Sequence, residues 1–166
     1  MSPVAPGRHA EIRRRQQLSQ EVRELLRELR IQLALLNHRI GAQMELRDVD
    51  LDCLDLITLN GPLSPSELAR HAGLHPATMT GILDRLERGG WVARERDPTD
   101  RRAVLVSALN GRSADLLRLY APMSNSINEI CARYENPELE VLADFLRRTT
   151  NAGHDATKTI GAPTPS

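Results

Sequence analysis

Aromatic residues are almost absent: one Trp, one Phe and two Tyr serve a chain of 166 residues. Aliphatic side chains must therefore fill the core, which suits packed helices. Lysine is scarcer still, since Lys158 is the only lysine among 22 basic residues. Acidic residues also number 22, so the formal net charge is zero and the chain as a whole exerts no long-range pull on nucleic acid or an anionic membrane. Binding of either kind has to come from a local basic patch. The two cysteines, Cys53 and Cys131, are too few and too far apart for a disulfide framework or a zinc cluster. No apolar run approaches the roughly 20 residues needed to cross a bilayer. The opening MSPVAPGRHAEIRRR lacks the apolar centre of a secretory signal. A cytoplasmic protein of one domain with extensions, without membrane contact, is the expectation.

Catalytic patterns are missing too. The sequence has no phosphate-binding glycine loop, zinc-protease motif or nucleophile elbow, so no enzyme, cofactor or metal site is expected. His71 and His75 are close in sequence but separated by the turn at Gly73 and Pro76. Cys53 lies on an apolar stripe and reads as a small hydrophobe, as does Cys131.

What the chain does contain is helical periodicity. Residues 1–8 are small and Pro-rich, a lead-in expected to be disordered. Leu18, Val22, Leu25, Leu29, Leu33, Leu36 and Ile40 then recur at steps of three and four, the stripe of a long amphipathic helix over 9–45. Between Ile31 and Leu36 that helix is apolar almost all round, which requires cover on more than one side, from its own domain and a second subunit or within a single-chain core. A second helix is expected over 48–60, with Val49, Cys53 and Leu56 or Ile57 inward.

The stretch LSPSELARHAGLHPATMTGILDRLERGG carries the sharpest local signals. Ser64 caps a short helix with Pro65 at its first position and Glu67 completing a capping box. The helix breaks at Gly73, and another starts at Pro76 with Met79, Ile82, Leu83 and Leu86 on one face. Its opposite face shows His75, Ala77, Thr78, Thr80, Gly81, Asp84 and Arg85. After Gly89-Gly90, the segments 91–93 and 103–106 flank RERDPTDRR as a β-hairpin. Beyond it, Leu116, Tyr120, Met123, Ile127, Ile130 and Tyr134 form a heptad-like seam, with a kink or break expected at Pro122. A last helix starts at Asn136-Pro137-Glu138, with Arg147 and Arg148 near its negative end. The tail 151–166 lacks periodicity and is expected to be disordered.

Two short helices joined by a glycine turn and followed by a charged hairpin describe a mainly α winged helix-turn-helix, with a small two-stranded β-wing and long flanking helices. An arginine on a hairpin tip suits the narrow minor groove, and a carboxylate beside it can hold the guanidinium fork. Small and hydroxylated residues on the second helix let it sit deep in a major groove. The run from Ser64 to Asn110, with its Asp100-x-Arg102 wing and glycine pair, resembles the MarR family of bacterial transcriptional regulators. The likeness extends over roughly residues 10–150.

That resemblance implies a domain order of N-terminal dimerisation helix (9–45), DNA-binding domain (46–109) and C-terminal dimerisation helices (110–150). It implies a homodimer on double-stranded DNA, with Thr78, Thr80 and Arg85 in the major groove and Arg102, oriented by Asp100, in the minor groove. Ser64, Ser66, His75, Ala77, Arg94, Arg96 and Arg101 complete the expected DNA-facing set. It also implies a repressor of a pseudo-palindromic operator, relieved by a small aromatic or phenolic effector. Asn37 and His38, where the first helix is apolar almost all round, either line a pocket for that effector or are core polar residues satisfied by a partner. Two departures bear on operator sequence: His75 replaces a hydroxyl-bearing cap, and Gly81 stands where a long polar or basic side chain is common. The rival reading is a winged-helix protein-interaction module.

Overall fold

The computed structural model describes residues 6–100 and 102–161. They divide into two units at Asp48–Val49. The first is built on one long helix, α1 (Pro6–Met44), so residues 6–8 of the expected lead-in are helical, and residues 1–5 lie outside the described residues. At its end Glu45 takes a left-handed backbone (φ 59°), and the Leu46 N–H donates to the Gly41 carbonyl at 2.9 Å. Its apolar stripe is uncovered: Leu18, Val22, Leu25, Leu29, Ile31, Leu33 and Leu35 are exposed, whereas Ile40 is buried.

The second unit carries α2 (Asp48–Asn60), α3 (Pro65–Ala72), α4 (Pro76–Arg88), β1 (Val92–Arg96), β2 (Val104–Ala108), α5 (Asn110–Cys131) and α6 (Asn136–Gly161). Leu51, Cys53, Leu54 and Ile57 of α2, Leu68 of α3, and Met79, Ile82, Leu83 and Leu86 of α4 are buried, joined by Trp91, Val92, Val106 and Leu116. Aliphatic groups thus dominate the core, and the sole tryptophan lies within it. β1 and β2 pair antiparallel from Val92–Ala108 to Arg96–Val104. A further rung, absent from the sequence reading, binds Leu63 to Val106 through reciprocal bonds of 3.1 and 2.8 Å. It ties the segment before α3 to the wing and supports a hairpin too small to stand alone.

The helices after the wing differ from expectation in two places. α5 runs through Pro122 without a break. Proline removes one backbone donor there, and the helix continues on both sides of it. α6 continues to Gly161, well past Asn151, so Arg147 and Arg148 lie mid-helix and face Asp144 at 3.7 and 3.6 Å. Thr157 and Thr159 donate their hydroxyls to the carbonyls of Gly153 and Asp155, one turn back. Residues 162–166 lie outside the described residues.

Candidate nucleic-acid interface

The helix-turn-helix is set by its caps. Ser64 Oγ accepts the Glu67 N–H at 3.3 Å and donates to Glu67 Oε2 at 2.7 Å, while the Ser64 N–H donates to the same oxygen at 2.9 Å. These bonds hold the Glu67 carboxyl below the usual carboxylate range. They also engage the Ser64 hydroxyl in the cap of α3, while Ser66 is exposed. Gly73 closes α3 in the left-handed conformation (φ 65°), which a glycine adopts without steric cost. His75 then caps α4, its Nδ1 accepting the Ala77 N–H at 3.3 Å. An accepting Nδ1 leaves the proton of the neutral ring on Nε2.

α4 buries Met79, Ile82, Leu83 and Leu86 and leaves Ala77, Thr78 and Thr80 exposed, with Gly81 half-buried. The Thr80 hydroxyl donates to the Pro76 carbonyl at 3.0 Å. Arg85, expected in the major groove, is engaged within the protein. Its Nη2 and Nε donate to Asp50 Oδ1 and Oδ2 at 2.6 and 3.3 Å, and its Nη1 to the Gly81 carbonyl at 3.2 Å. The Asp50 side chain is 3% exposed. Removing a cation from a buried carboxylate is strongly unfavourable, so Arg85 stays on Asp50 and locks α4 to α2. The hydrogen bond to Asp50 raises the Arg85 pKa further.

The wing is fastened to α4 in a similar way. Arg94 of β1 donates to Asp84 Oδ1 at 2.7 Å and to Glu87 Oε2 at 2.8 Å. Arg94, also expected to face DNA, is held against α4 by these two carboxylates. At the tip, Asp97 Oδ1 accepts from the Thr99 N–H (2.7 Å), the Thr99 hydroxyl (2.6 Å) and the Asp100 N–H (3.3 Å), which lowers the Asp97 pKa, the Thr99 hydroxyl bond most of all. Asp100 Oδ1 accepts the backbone N–H of Arg102 at 3.0 Å. The acidic residue therefore shapes the turn through the Arg102 main chain; the expected grip on the guanidinium is replaced by a turn bond. Arg96 and Arg102 are exposed, and Arg101 lies outside the described residues.

Three other contacts escaped the sequence reading. The Arg112 guanidinium lies 4.5 Å from the centroid of the buried Trp91 ring, and its Nη1 donates to the Gly89 carbonyl at 2.7 Å. A Cβ at Gly89 would come within 2.7 Å of the same indole, so the tight passage from α4 into β1 needs a glycine there. His71 of α3 stacks on His154 of α6 with centroids 6.4 Å apart.

The remaining candidates are placed as follows. Cys53 is fully buried, and burial first, then Asp52 and Asp50, push its thiol up to about 11. His38 is exposed and its Nδ1 lies 3.3 Å from both carboxylate oxygens of Asp48; Asn37 is half-buried. No helix among the described residues is long and apolar enough to cross a membrane.

Two short helices about a left-handed glycine, an outward second helix and an antiparallel wing define a winged helix-turn-helix protein. The MarR family profile matches residues 46–104. Over 137 residues the chain is 31% identical to the HTH-type transcriptional regulator YcgE of Bacillus subtilis, spanning 82% of this chain and 89% of that protein. It is 31% identical over 118 residues to the HTH-type transcriptional repressor NicR of Pseudomonas putida, spanning 68% of this chain and 71% of that one. In fold it resembles a MarR family protein from Bacillus stearothermophilus (TM-score 0.62, 22% identity, 82% of this chain and 96% of that one). It likewise resembles apo wild-type MarR from E. coli (TM-score 0.54, 20% identity, 90% of this chain and 98% of that one). The chain belongs to the MarR family and is a DNA-binding transcriptional regulator, not an enzyme.

Proposed function

We propose that the protein is a cytoplasmic homodimeric repressor that binds a pseudo-palindromic operator in double-stranded DNA. In this reading each subunit places the first turns of α4 in a major groove and Arg102, with Arg96 and Arg101, at a minor groove or its phosphates. The observation that carries it is the division of labour on one lobe: the outward face of α4 bears only small side chains in its first turns, and the exposed Arg96 and Arg102 lie on the wing that Arg94 fastens to that helix. Small groups let a helix approach base edges, while an extended arginine suits the negative potential of a narrow minor groove.

Dimerisation is supported by uncovered apolar rows on both units. Leu18, Val22, Leu25 and Leu29 are exposed on α1, as are Ile127 and Ile130 of α5 and Val141, Leu142, Phe145 and Leu146 of α6. Contiguous rows of this kind mark association surfaces. Repression, in place of activation, is supported by the likeness to NicR, and relief by a small aromatic or phenolic effector follows the family pattern.

A gel-shift titration against the DNA flanking the protein's own gene tests this reading, with Ile130→Asp as the dimer control. Retardation at low salt, lost with the dimer in Ile130→Asp, is the expected result. A monomeric parent protein, or no retardation at any salt, would rule the reading out. A thermal-shift screen with phenolic acids tests the effector, because a ligand that binds only the folded state raises its apparent stability.

A further inference from the structure

Bidentate hydrogen-bonded reading of a base edge calls for amide or guanidinium forks aimed into the groove, with carboxylates and single Ser or Thr hydroxyls as the other readers. From Pro76 to Leu83, α4 contains no Asn, Gln, Arg, Lys, Asp or Glu. The long polar residues that follow are engaged within the protein. Arg85 is held by Asp50 and the Gly81 carbonyl, Asp84 receives Arg94, and Arg88 Nε donates to the Asp84 carbonyl at 3.1 Å. The Thr80 hydroxyl has given its proton to the Pro76 carbonyl. What the first two turns offer outward is therefore mostly methyl: Ala77, Thr78 and Thr80, all exposed.

Gly81 belongs to the same feature. Residues four apart share a helix face, which puts Gly81 one turn beyond Ala77. A Cβ built at Gly81 meets nothing closer than Arg85 Nη1 at 3.9 Å, so packing does not call for glycine there. A glycine inside a helix weakens it, and its φ is not in the left-handed region that would excuse it. Its remaining effect is to remove a side chain from the outward face, letting the backbone approach another surface closely.

We propose that the first two turns of α4 read thymine 5-methyl groups by apolar contact, with Ala77 and Thr78 determining specificity and Gly81 providing the close approach. The ligand feature this selects is an A·T base pair with its thymine methyl facing α4 in the major groove, where that methyl distinguishes thymine from cytosine and from uracil. The Nε2–H of His75, at the same end of α4, supplies a donor beside this apolar surface. The inference rests on the DNA-binding reading of α4 above.

The test uses the full chain and a duplex it binds, taken from the DNA flanking its gene or selected from random sequence. Affinity is measured for the natural duplex and for one in which each thymine within the protected footprint is replaced by uracil, which deletes only the methyl. Uracil outside the footprint serves as the control. Each contacted methyl removed should weaken binding about three- to five-fold, the effect of losing one buried carbon. Thr78→Val keeps the methyl and should retain the thymine–uracil difference; Thr78→Ser keeps the hydroxyl and should shrink it. Tight binding of the natural duplex with no loss on uracil substitution would overturn the inference and leave the DNA-binding reading standing. The same holds if Thr78→Ser, and not Thr78→Val, preserves the difference, because the hydroxyl would then be the reading group. If no duplex is bound at all, the functional reading and the inference fall together.

Discussion

Arg85 Nη2 donates to Asp50 Oδ1 across 2.6 Å, joining the outward helix α4 to the buried face of α2. The pair sits at a helix position where a DNA-contacting arginine is easy to suppose, and it ties two helices together. Arg85→Ala should destabilise the protein by about 3 kcal/mol, because it removes a cation from a carboxylate that is 3% exposed. Denaturant unfolding measures this, and the double change Asp50→Leu with Arg85→Met should recover most of the loss. Unaltered stability in Arg85→Ala, with DNA affinity alone reduced, would return Arg85 to the interface.

Arg94 spans from the wing to Asp84 and Glu87, both on α4. The pairs are partly exposed, so Arg94→Ala should cost only about 1 kcal/mol in stability. Its larger effect should be on DNA affinity, because a wing no longer fixed to α4 loses entropy on binding. Affinity and melting temperature measured on the same preparation separate the two effects. Equal affinity for variant and parent would remove Arg94 from the positioning machinery.

These two arginines show where sequence reading succeeded and where it stopped. The helix pair, its capping box at Ser64 and Glu67, the glycine turn and the hairpin were all legible, because each is signalled by caps, glycines and strand-forming residues that lie close together in sequence. The partners of Arg85 and Arg94 were not. Arg85 meets Asp50 from 35 residues away, and nothing local distinguishes an arginine that points into a groove from one that turns back to a carboxylate. Asp100 illustrates the same limit at short range: its place beside Arg102 was evident, but whether it would hold the guanidinium or the backbone N–H depended on turn geometry. The extension of α6 to Gly161 went unread because residues 151–161 lack the apolar periodicity that marks a helix in sequence.

The wing tip should be sensitive to acid. Folding lowers the Asp97 pKa through the Thr99 and Asp100 bonds. The folded carboxyl therefore holds its proton less tightly than the unfolded one. Its contribution is complete above the ordinary carboxylate range and is lost as pH falls through the lowered value. The protection of the Thr99 and Asp100 amides, measured against the intrinsic exchange rate at each pH, should be high at pH 6 and fall in strong acid, before the core opens. Asp97→Asn, which keeps an acceptor but cannot titrate, should remove that dependence. An exchange profile for these amides that is the same in Asp97→Asn and the parent would contradict the assignment.

Cys53 should be unreactive in the native protein. Its thiol is buried and pushed up to about 11, so the thiolate is scarce at neutral pH. Iodoacetamide at pH 7.5 should leave Cys53 unmodified until denaturant is added, as mass spectrometry of the digested protein would reveal. Above pH 9 the sign reverses: the unfolded thiol ionises first, so the stability this group contributes declines between about 9 and 11. Rapid native alkylation of Cys53 would place it in an accessible, and so potentially sensory, position.

The most direct measurement is a salt series of DNA-binding titrations by fluorescence anisotropy, comparing the parent protein with Arg102→Ala on the same operator duplex. If the wing arginine meets the duplex, affinity should fall steeply as salt rises. Arg102→Ala should then lose about 1–3 kcal/mol of binding while keeping the parent's fold and dimer, and show a shallower salt slope if its contact is to phosphate. Identical affinity and identical salt slope for the two proteins would contradict the placement of the wing on DNA.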